Sequence, residues 1–365
     1  MFDQKILYAN HHEKKQGELN KEKLYKGVDY KTFIKNDLNY LDLNVVSYWY
    51  FNKVKHEVKY SNFYDDSDSM YYYPMHKLME EMNYQDQDLK ITPELQLFHD
   101  EFTKAFTLIE LNGIGVNTNI ISTFGHRIGK YIYDKKIYQN YNFFTTTSRP
   151  SNSINNLNFA ALTPEHRKCF SPLNDIFVEF DFDAYHPRLI GDLIGYEFPK
   201  TSVHEYLSKK YNVSIDEGKV KTFQYLYGGI PNDVAKKVEF LNMTKNLISE
   251  MWDEFRLNKK INTYIYNRPL KDGNLDNLNP QKLFNYYIQA HETERNVKLL
   301  MELHRYLLPK ESNIVHYNYD SFLFDYSKKD GVETIYEIKK ILEKGGFTTK
   351  TKVGHDYGSI VSYEF

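Results

Sequence analysis

Residues 177–189, FVEFDFDAYHPRL, constrain this chain more than any other stretch: an apolar run bounded by Pro172 and Pro187 that carries two carboxylates, Asp181 and Asp183. A buried strand fits it, and a strand fixes the direction of each side chain. Asp is short enough to hold a divalent cation near such a backbone, so the run reads as a metal platform. An edge strand with solvated carboxylates fits the same residues, and the rest of the sequence has to separate the two.

At 365 residues and 41% hydrophobic, the chain can build two or three subdomains with cores of their own. A single cysteine, Cys169, excludes a disulfide framework and fits a reducing compartment. The opening MFDQKILYANHHEKKQ lacks the apolar segment of a signal peptide, and no run approaches the ~20 apolar residues that span a bilayer. A cytoplasmic location without membrane contact is therefore expected. The net charge of −2 argues against a simple basic coat for nucleic acid, but an acidic site and a basic groove cancel in such a sum. With 33 Tyr and 24 Phe, no single aromatic is by itself a sign of base stacking.

Residues 1–91 are polar and Tyr-rich, with a hairpin expected at 45–60 and an acidic loop after it. Asp65, Asp66 and Asp68 lack the Gly and terminal Glu of a calcium loop, so solvated side chains are expected there. Thr92-Pro93-Glu94 is a helix start, and Leu95, Phe98, Phe102, Phe106 and Ile109 follow at helical spacing until Gly113. Ile114 and Val116 then alternate like a short strand. One amphipathic segment is expected between Asn117 and Tyr141, and TTTSRPSNSINNLN, 145–158, reads as a loop. Arg149 within it is either a phosphate or base-edge donor or a surface ion-pair partner.

After the acidic run, Val203-His204-Glu205 opens a helical, charged region. In GKVKTFQYLYGG, 218–229, Lys219, Phe223 and Tyr227 recur every four residues and so share a helix face that ends at Gly228-Gly229. A cation and two aromatics on one face suit a triphosphate and a base, or equally a surface Lys above two core rings. Short helices and a Gly/Asn/Pro-rich loop are expected over 231–280. From Pro280 a long helix runs to Pro309, with Ile288, Val297, Leu300, Met301, His304 and Leu307 as its inner stripe. Asn285 and Gln289, one turn apart, are solvated amides or ligand contacts. NIVHYNYDSFLFDYS, 313–327, reads as a hairpin with Tyr319-Asp320 at its turn. Val332, Ile335, Ile338, Ile341 and Leu342 mark a further helix stopped by Gly345-Gly346, before a strand-like C-terminus. This order implies an α+β fold, an antiparallel sheet with helices behind it.

Taken together, these segments resemble the family A DNA polymerases, the DNA polymerase I family, over about residues 106–360. IELNGIGVN resembles the segment before that family's thumb. TSRPSNSINNLN is similar to its TGRLSSxxPNLQN loop, with Arg149, Asn156 and Leu157 in register, and RKCF from Arg167 resembles the basic segment after it. DFDAYHPR resembles DYSQIELR, and setting Arg188 on the final Arg makes Asp181 the metal ligand. SVHEYL is similar to DIHxxT, and KVKTFQYLYG matches K-x3-F-x3-Y-G at its four marked positions. NYYIQ matches NxxxQ, and YNYDSFLFD resembles VHDELVFE with Asp320 as its aspartate.

The resemblance implies a palm with an antiparallel sheet, a helical fingers insertion and a vestigial thumb. Its divisions are an N-terminal region (1–91), a first palm part (92–190), fingers (191–280) and a second palm part (281–365). It implies two Mg²⁺ ions, or Mn²⁺, on Asp181 and Asp320, with Lys219 as a catalytic cation. His204 and Lys219 would hold triphosphate, Phe223 and Tyr227 would stack on the base, and His186 and Arg188 would complete the nucleotide site. Arg149, Asn156, Arg167, Asn285 and Gln289 would contact primer-template DNA, since a fixed donor in the minor groove meets an acceptor on every correct pair. The expected activity is template-directed addition of dNTPs to a primer 3′ end, in a compact enzyme of a phage or plasmid replication system.

Several positions depart from that pattern. Ser321 replaces the motif glutamate after Asp320, and Tyr319 replaces the preceding His. Asp183, two residues past Asp181, is expected to supply the missing charge as a further metal ligand. His186 stands where the family has the Glu that crowds the sugar 2′ carbon, and Ile215 stands where an Arg precedes the fingers lysine. Only 31 residues separate Asn117 from Arg149, too few for a full thumb, so low processivity without a replisome partner is expected. Residues 1–91 show no start of a proofreading exonuclease. A catalytically weakened primer-template-binding component of a replisome is the main alternative. A metal-dependent nuclease is a third, which leaves the fingers pattern unexplained.

Overall fold

The computed structural model describes residues 93–121, 132–133, 135–142, 147–154, 157–159, 162–199, 202–271 and 278–364. The hairpin expected at 45–60, the Asp65, Asp66 and Asp68 cluster, and Asn156 lie outside them. In chain order the main elements are α1 (Pro93–Asn112), β1 (Ile176–Phe182), α2 (Tyr185–Ile194), α3 (Val203–Tyr211), α4 (Ile215–Gly228), α5 (Glu239–Asn258) and α6 (Pro280–Leu307). They are followed by β2 (Asn313–Asn318), β3 (Ser321–Tyr326), α7 (Glu333–Leu342), β4 (Thr349–Gly354) and β5 (Val361–Tyr363).

The acidic run forms β1, and β1 lies in the middle of an antiparallel sheet of order β2-β3-β1-β4-β5. Pairing on both edges resists slippage of this strand. Alternation then sorts its side chains. Val178, Phe180 and Phe182 enter the core formed with α1, the second half of α6 and α7. Phe177 packs on the other face with Val315 and Leu323, and Glu179 and Asp181 follow it at the same period of two. α1 covers the core with Phe98, Phe102, Phe106 and Ile109, all fully buried, each side chain worth about 1.5–3 kcal/mol over an exposed one. Gly113, at φ 63°, ends that helix as expected.

Helices α2 to α5 build a second core with the first half of α6, through Ile190, Leu207, Leu226, Phe240 and Ile288 among others. The 28 residues of α6, about 42 Å of helix, therefore serve both cores: Leu283 to Ala290 in one, Val297 to Leu307 in the other. Between them lies a waist of buried polar side chains, His291, Glu292, Thr293, Glu294 and Asn296, each at most 1% exposed. Polar groups at that depth need partners: Arg149 and His186 of the candidate site meet Glu292, while Thr263 and Arg268 meet Glu294.

Among the described residues of 117–141, Thr118–Ile121 is a helical turn, and Ile132–Tyr133 and Lys136–Ile137 are short strands. Two sequence readings need correction. Residues 145–158 are only partly loop, because Ser151–Ile154 pairs with Asn140–Asn142 and with Leu157–Asn158. Backbone pairing decides there, and Ser/Asn composition hid it. Residues 231–280 contain a full 20-residue helix, α5, and a hairpin, Lys260–Asn262 with Pro269–Lys271. Among the described residues, no helix is long and apolar enough to cross a membrane.

Candidate active site

Register brings the two principal carboxylates together. At the end of β1, Asp181 lies opposite Ser321 on β3 and opposite Lys350 on β4. The β2–β3 turn is the two residues Tyr319-Asp320, with Tyr319 in the left-handed region at φ 58°. The Asp320 carbonyl accepts from Phe182 N–H at 2.9 Å, which fixes the turn against the end of β1. The Asp320 carboxyl is raised to about 6, first by burial and then by the negative charges of Asp181 and Glu292. It remains open to the cleft, so water screens part of that repulsion.

Lysines of β4 face these acids. Lys352 Nζ lies 2.9 Å from both Glu179 and Asp181, and Lys350 Nζ lies 2.8 Å from Asp183. Asp183 sits in the turn after β1 and also meets Arg188, whose Nη2 is 3.8 Å from it and whose Nε donates to its carbonyl at 3.0 Å. Among the described residues, no three or more His, Cys, Asp or Glu side chains form a group that could hold a metal ion.

Across the cleft, α4 begins at Ser214, whose hydroxyl accepts from Glu217 N–H while Glu217 reaches back to Ser214 N–H. The helix presents Lys219, Phe223 and Tyr227 on one face, with the two rings stacked at 6.2 Å and 25°. His204, near the start of α3, is lowered most by burial; Asp183 opposes this, and Lys219, Lys350 and Arg188 reinforce it. Lys350 and Arg188 meet Asp183 directly, and Lys219 lies close enough to His204 to bear on its charge.

His186, in the first turn of α2, bridges the two sides. Its Nδ1 meets the Tyr227 hydroxyl, its Nε2 lies 3.1 Å from Glu292 Oε2, and its ring meets Phe223 edge-on at 6.5 Å. Glu292 also receives Arg149, with Nη2 at 3.3 Å and Nε at 3.2 Å. The Arg149 guanidinium lies 3.8 Å over the Tyr319 ring, beside Asp320. Gln289 donates to Asn285 at 3.0 Å and accepts from Thr147 at 3.4 Å. Asn285, Gln289 and Glu292 thus line one α6 face beside the Arg149 loop. Arg167 lies apart from this group, 5.3 Å over the Tyr357 ring.

Sequence reading missed Glu292, Glu179, Lys352 and the packing role of Tyr319. Glu292 had a signal, since it lies three residues beyond Gln289 and seven beyond Asn285 on a predicted helix. Lys352 had none, because only strand register brings it to Asp181.

No protein-family profile matches the chain, and no curated protein sequence matches it. Among solved structures, the chain is similar to the POL domain of Pol1 from M. smegmatis, in complex with DNA primer-template and dNTP, at a TM-score of 0.52 and 14% identity. The match covers 78% of this chain and spans 55% of that one. At that identity the likeness is one of fold, a mixed α+β architecture with antiparallel sheets.

Proposed function

We propose that this chain is a template-directed DNA polymerase that adds deoxynucleotides to a primer 3′ end. One observation carries the reading: Asp181 and Asp320, 139 residues apart in sequence, converge at one end of a central sheet and face a helix bearing a cation and a stacked aromatic pair. The finer reading is a compact family A enzyme without 3′-5′ proofreading, from a phage or plasmid system, acting in a cytoplasm or nucleoid.

Asp181 and Asp320 would hold Mg²⁺, with Mn²⁺ as a substitute. Their donors are all oxygen, and their mutual repulsion is what a divalent cation relieves. Mg²⁺ is commonly held by one or two carboxylates, with substrate phosphates and water completing its shell, so a pair suffices. When bound, the metal would lower the pKa of the primer hydroxyl and neutralise charge on the leaving pyrophosphate. Asp183 is the proposed source of the charge missing at Ser321, and Lys350 and Arg188 must release it for that role. Lys219 and neutral His204 would bind the triphosphate as donors. Phe223 and Tyr227 would form the stacking wall for the base, and Arg149, Asn285 and Gln289 would meet the minor groove of the newest pair.

Primer extension with Mg²⁺ or Mn²⁺ and each dNTP and NTP tests this. Template-dependent lengthening that stops in EDTA is expected. The alternative of a primer-template-binding replisome component is favoured by Ser321 and by Lys352 against Asp181; binding without lengthening would select it, and shortening of the primer would select a nuclease.

The Asp320 carboxyl gives a pH signature. Its folded value, about 6, lies above the ordinary 3.8. The metal-free folded state therefore holds this proton more tightly than the unfolded chain, and stability falls as pH rises from about 4 to about 6. A cation entering the pair displaces the proton. Mg²⁺ added near pH 6 should release protons, and the same addition at pH 8 should release none from this group. Equal release at both values, read with an indicator dye, would exclude Asp320 as a ligand.

A further inference from the structure

Glu292 has no place in the reading above, and among the described carboxylates of the site it is the most completely buried. Its side chain is 1% exposed; Oε1 accepts from Arg149 Nη2, and Oε2 lies near both Arg149 Nε and His186 Nε2. A carboxylate at that depth is kept only by charged or hydrogen-bonded partners. The partners here come from two different sides of the cleft: Arg149 from the loop packed on the Asp320 turn, and His186 from the helix that follows β1.

Arg149 donates to Glu292, and a carboxylate oxygen that accepts from both neighbours takes its hydrogen bond from the proton on His186 Nε2. Nδ1 is then the free lone pair and accepts the Tyr227 hydroxyl, whose own proton is held more tightly than usual because burial raises its pKa. Tyr227 to His186 to Glu292 is thus one ordered chain of donors ending on an acid that Arg149 also holds. It sets the ring of His186 upright, edge-on to Phe223, at the foot of the aromatic wall.

We propose that Glu292 is a positioning residue for sugar selection. Acting through His186, it holds the imidazole where the sugar of an incoming nucleoside triphosphate would lie, so that a 2′-hydroxyl meets a fixed ring instead of a yielding one. This rests on the polymerase reading, which puts the nucleotide against Phe223 and Tyr227. An acid on the long helix here does the orienting, and the side chain that meets the sugar is the histidine.

The test uses the full chain with primer-template, and dATP and ATP as probes opposite template T. Glu292→Gln keeps the size but sets an NH₂ group against His186 or Arg149, where a second acceptor stood. The ratio of kcat/KM for dATP over ATP is expected to fall about tenfold, through a lower KM for ATP. In a His186→Ala background the same substitution should add nothing, because its effect runs through that ring. Glu292→Asp, which keeps both acceptors, should restore part of the ratio.

An unchanged ratio in folded Glu292→Gln, or an equal further loss in the double variant, overturns the proposal and leaves the polymerase reading intact. If the wild-type chain adds neither nucleotide, both fall. The wild type supplies a readout that does not depend on any variant folding: ¹⁵N shifts of His186 should show Nε2 protonated and Nδ1 unprotonated. The opposite tautomer overturns the proposal.

Discussion

Asp181→Asn and Asp320→Asn should each slow single-turnover nucleotide addition by about three orders of magnitude or more, with primer-template affinity little changed. The size of the loss follows from how little covalent chemistry the protein does in phosphoryl transfer: positioning and charge neutralisation supply nearly all of it. Asn keeps the shape and one oxygen but removes the negative charge that, in the proposed reaction, would hold a cation against the triphosphate. At Asp320 the change also removes the burial cost and, after it, the repulsion that lift its carboxyl to about 6, so metal-free Asp320→Asn should be at least as stable as wild type while inactive. That pairing separates a catalytic loss from unfolding. Retention of more than about a tenth of the wild-type rate in either variant, at saturating Mg²⁺, would remove these residues from the metal role.

The second large effect concerns stability. Glu294→Ala should cost about 3–5 kcal/mol, enough to bring many proteins to the edge of unfolding. Glu294 is fully buried in the α6 waist. It accepts from Arg268 Nε at 2.7 Å, from the Thr263 hydroxyl at 2.6 Å and from Tyr266 N–H at 3.2 Å, so it ties the Lys260–Asn262 and Pro269–Lys271 hairpin to α6. Arg268 in turn donates to the Ser148 hydroxyl at 2.9 Å and lies 3.8 Å over the Phe98 ring. Removing the acid strands a buried guanidinium and leaves a backbone N–H without its acceptor. Urea unfolding reads the cost, and a loss below about 1 kcal/mol would show that water reaches and satisfies Arg268.

Local signals carried the sheet. FVEFDF was legible as a strand because it is apolar and bounded by prolines, and the β2–β3 hairpin because two apolar runs flank a two-residue turn. α4 was legible by its four-residue repeat, although its start lay earlier than read: the Ser214-to-Glu217 capping box was present in the sequence and passed over. α5 was harder. Its buried stripe of Phe240, Leu241, Ile248, Met251 and Phe255 is diluted by Lys, Asn and Glu on the exposed side, and short helices looked equally good. The strand at Ser151–Ile154 left almost no signal, because Ser and Asn have weak strand preference and the pairing is made by backbone alone. In the candidate site, Asp181 and Asp320 were legible through motif order. Lys352 was not: it reaches Asp181 across 171 residues by sheet register, which composition and spacing do not encode.

The continuity of α6 has a mechanical consequence. A helix embedded in two cores, with no proline or glycine between Gln281 and Leu307, has no joint at which one core could swing against the other. It acts as a strut. Under the proposed function, closure over a nucleotide would then have to come from shorter elements such as the α3–α4 pair, whose ends are Ser202 before α3 and Gly229, at φ 119°, after α4. The sheet and the base of the helical block would travel as one piece, and the moving mass would be under thirty residues of helical hairpin, with the contact between His186 and Tyr227 at its inner side.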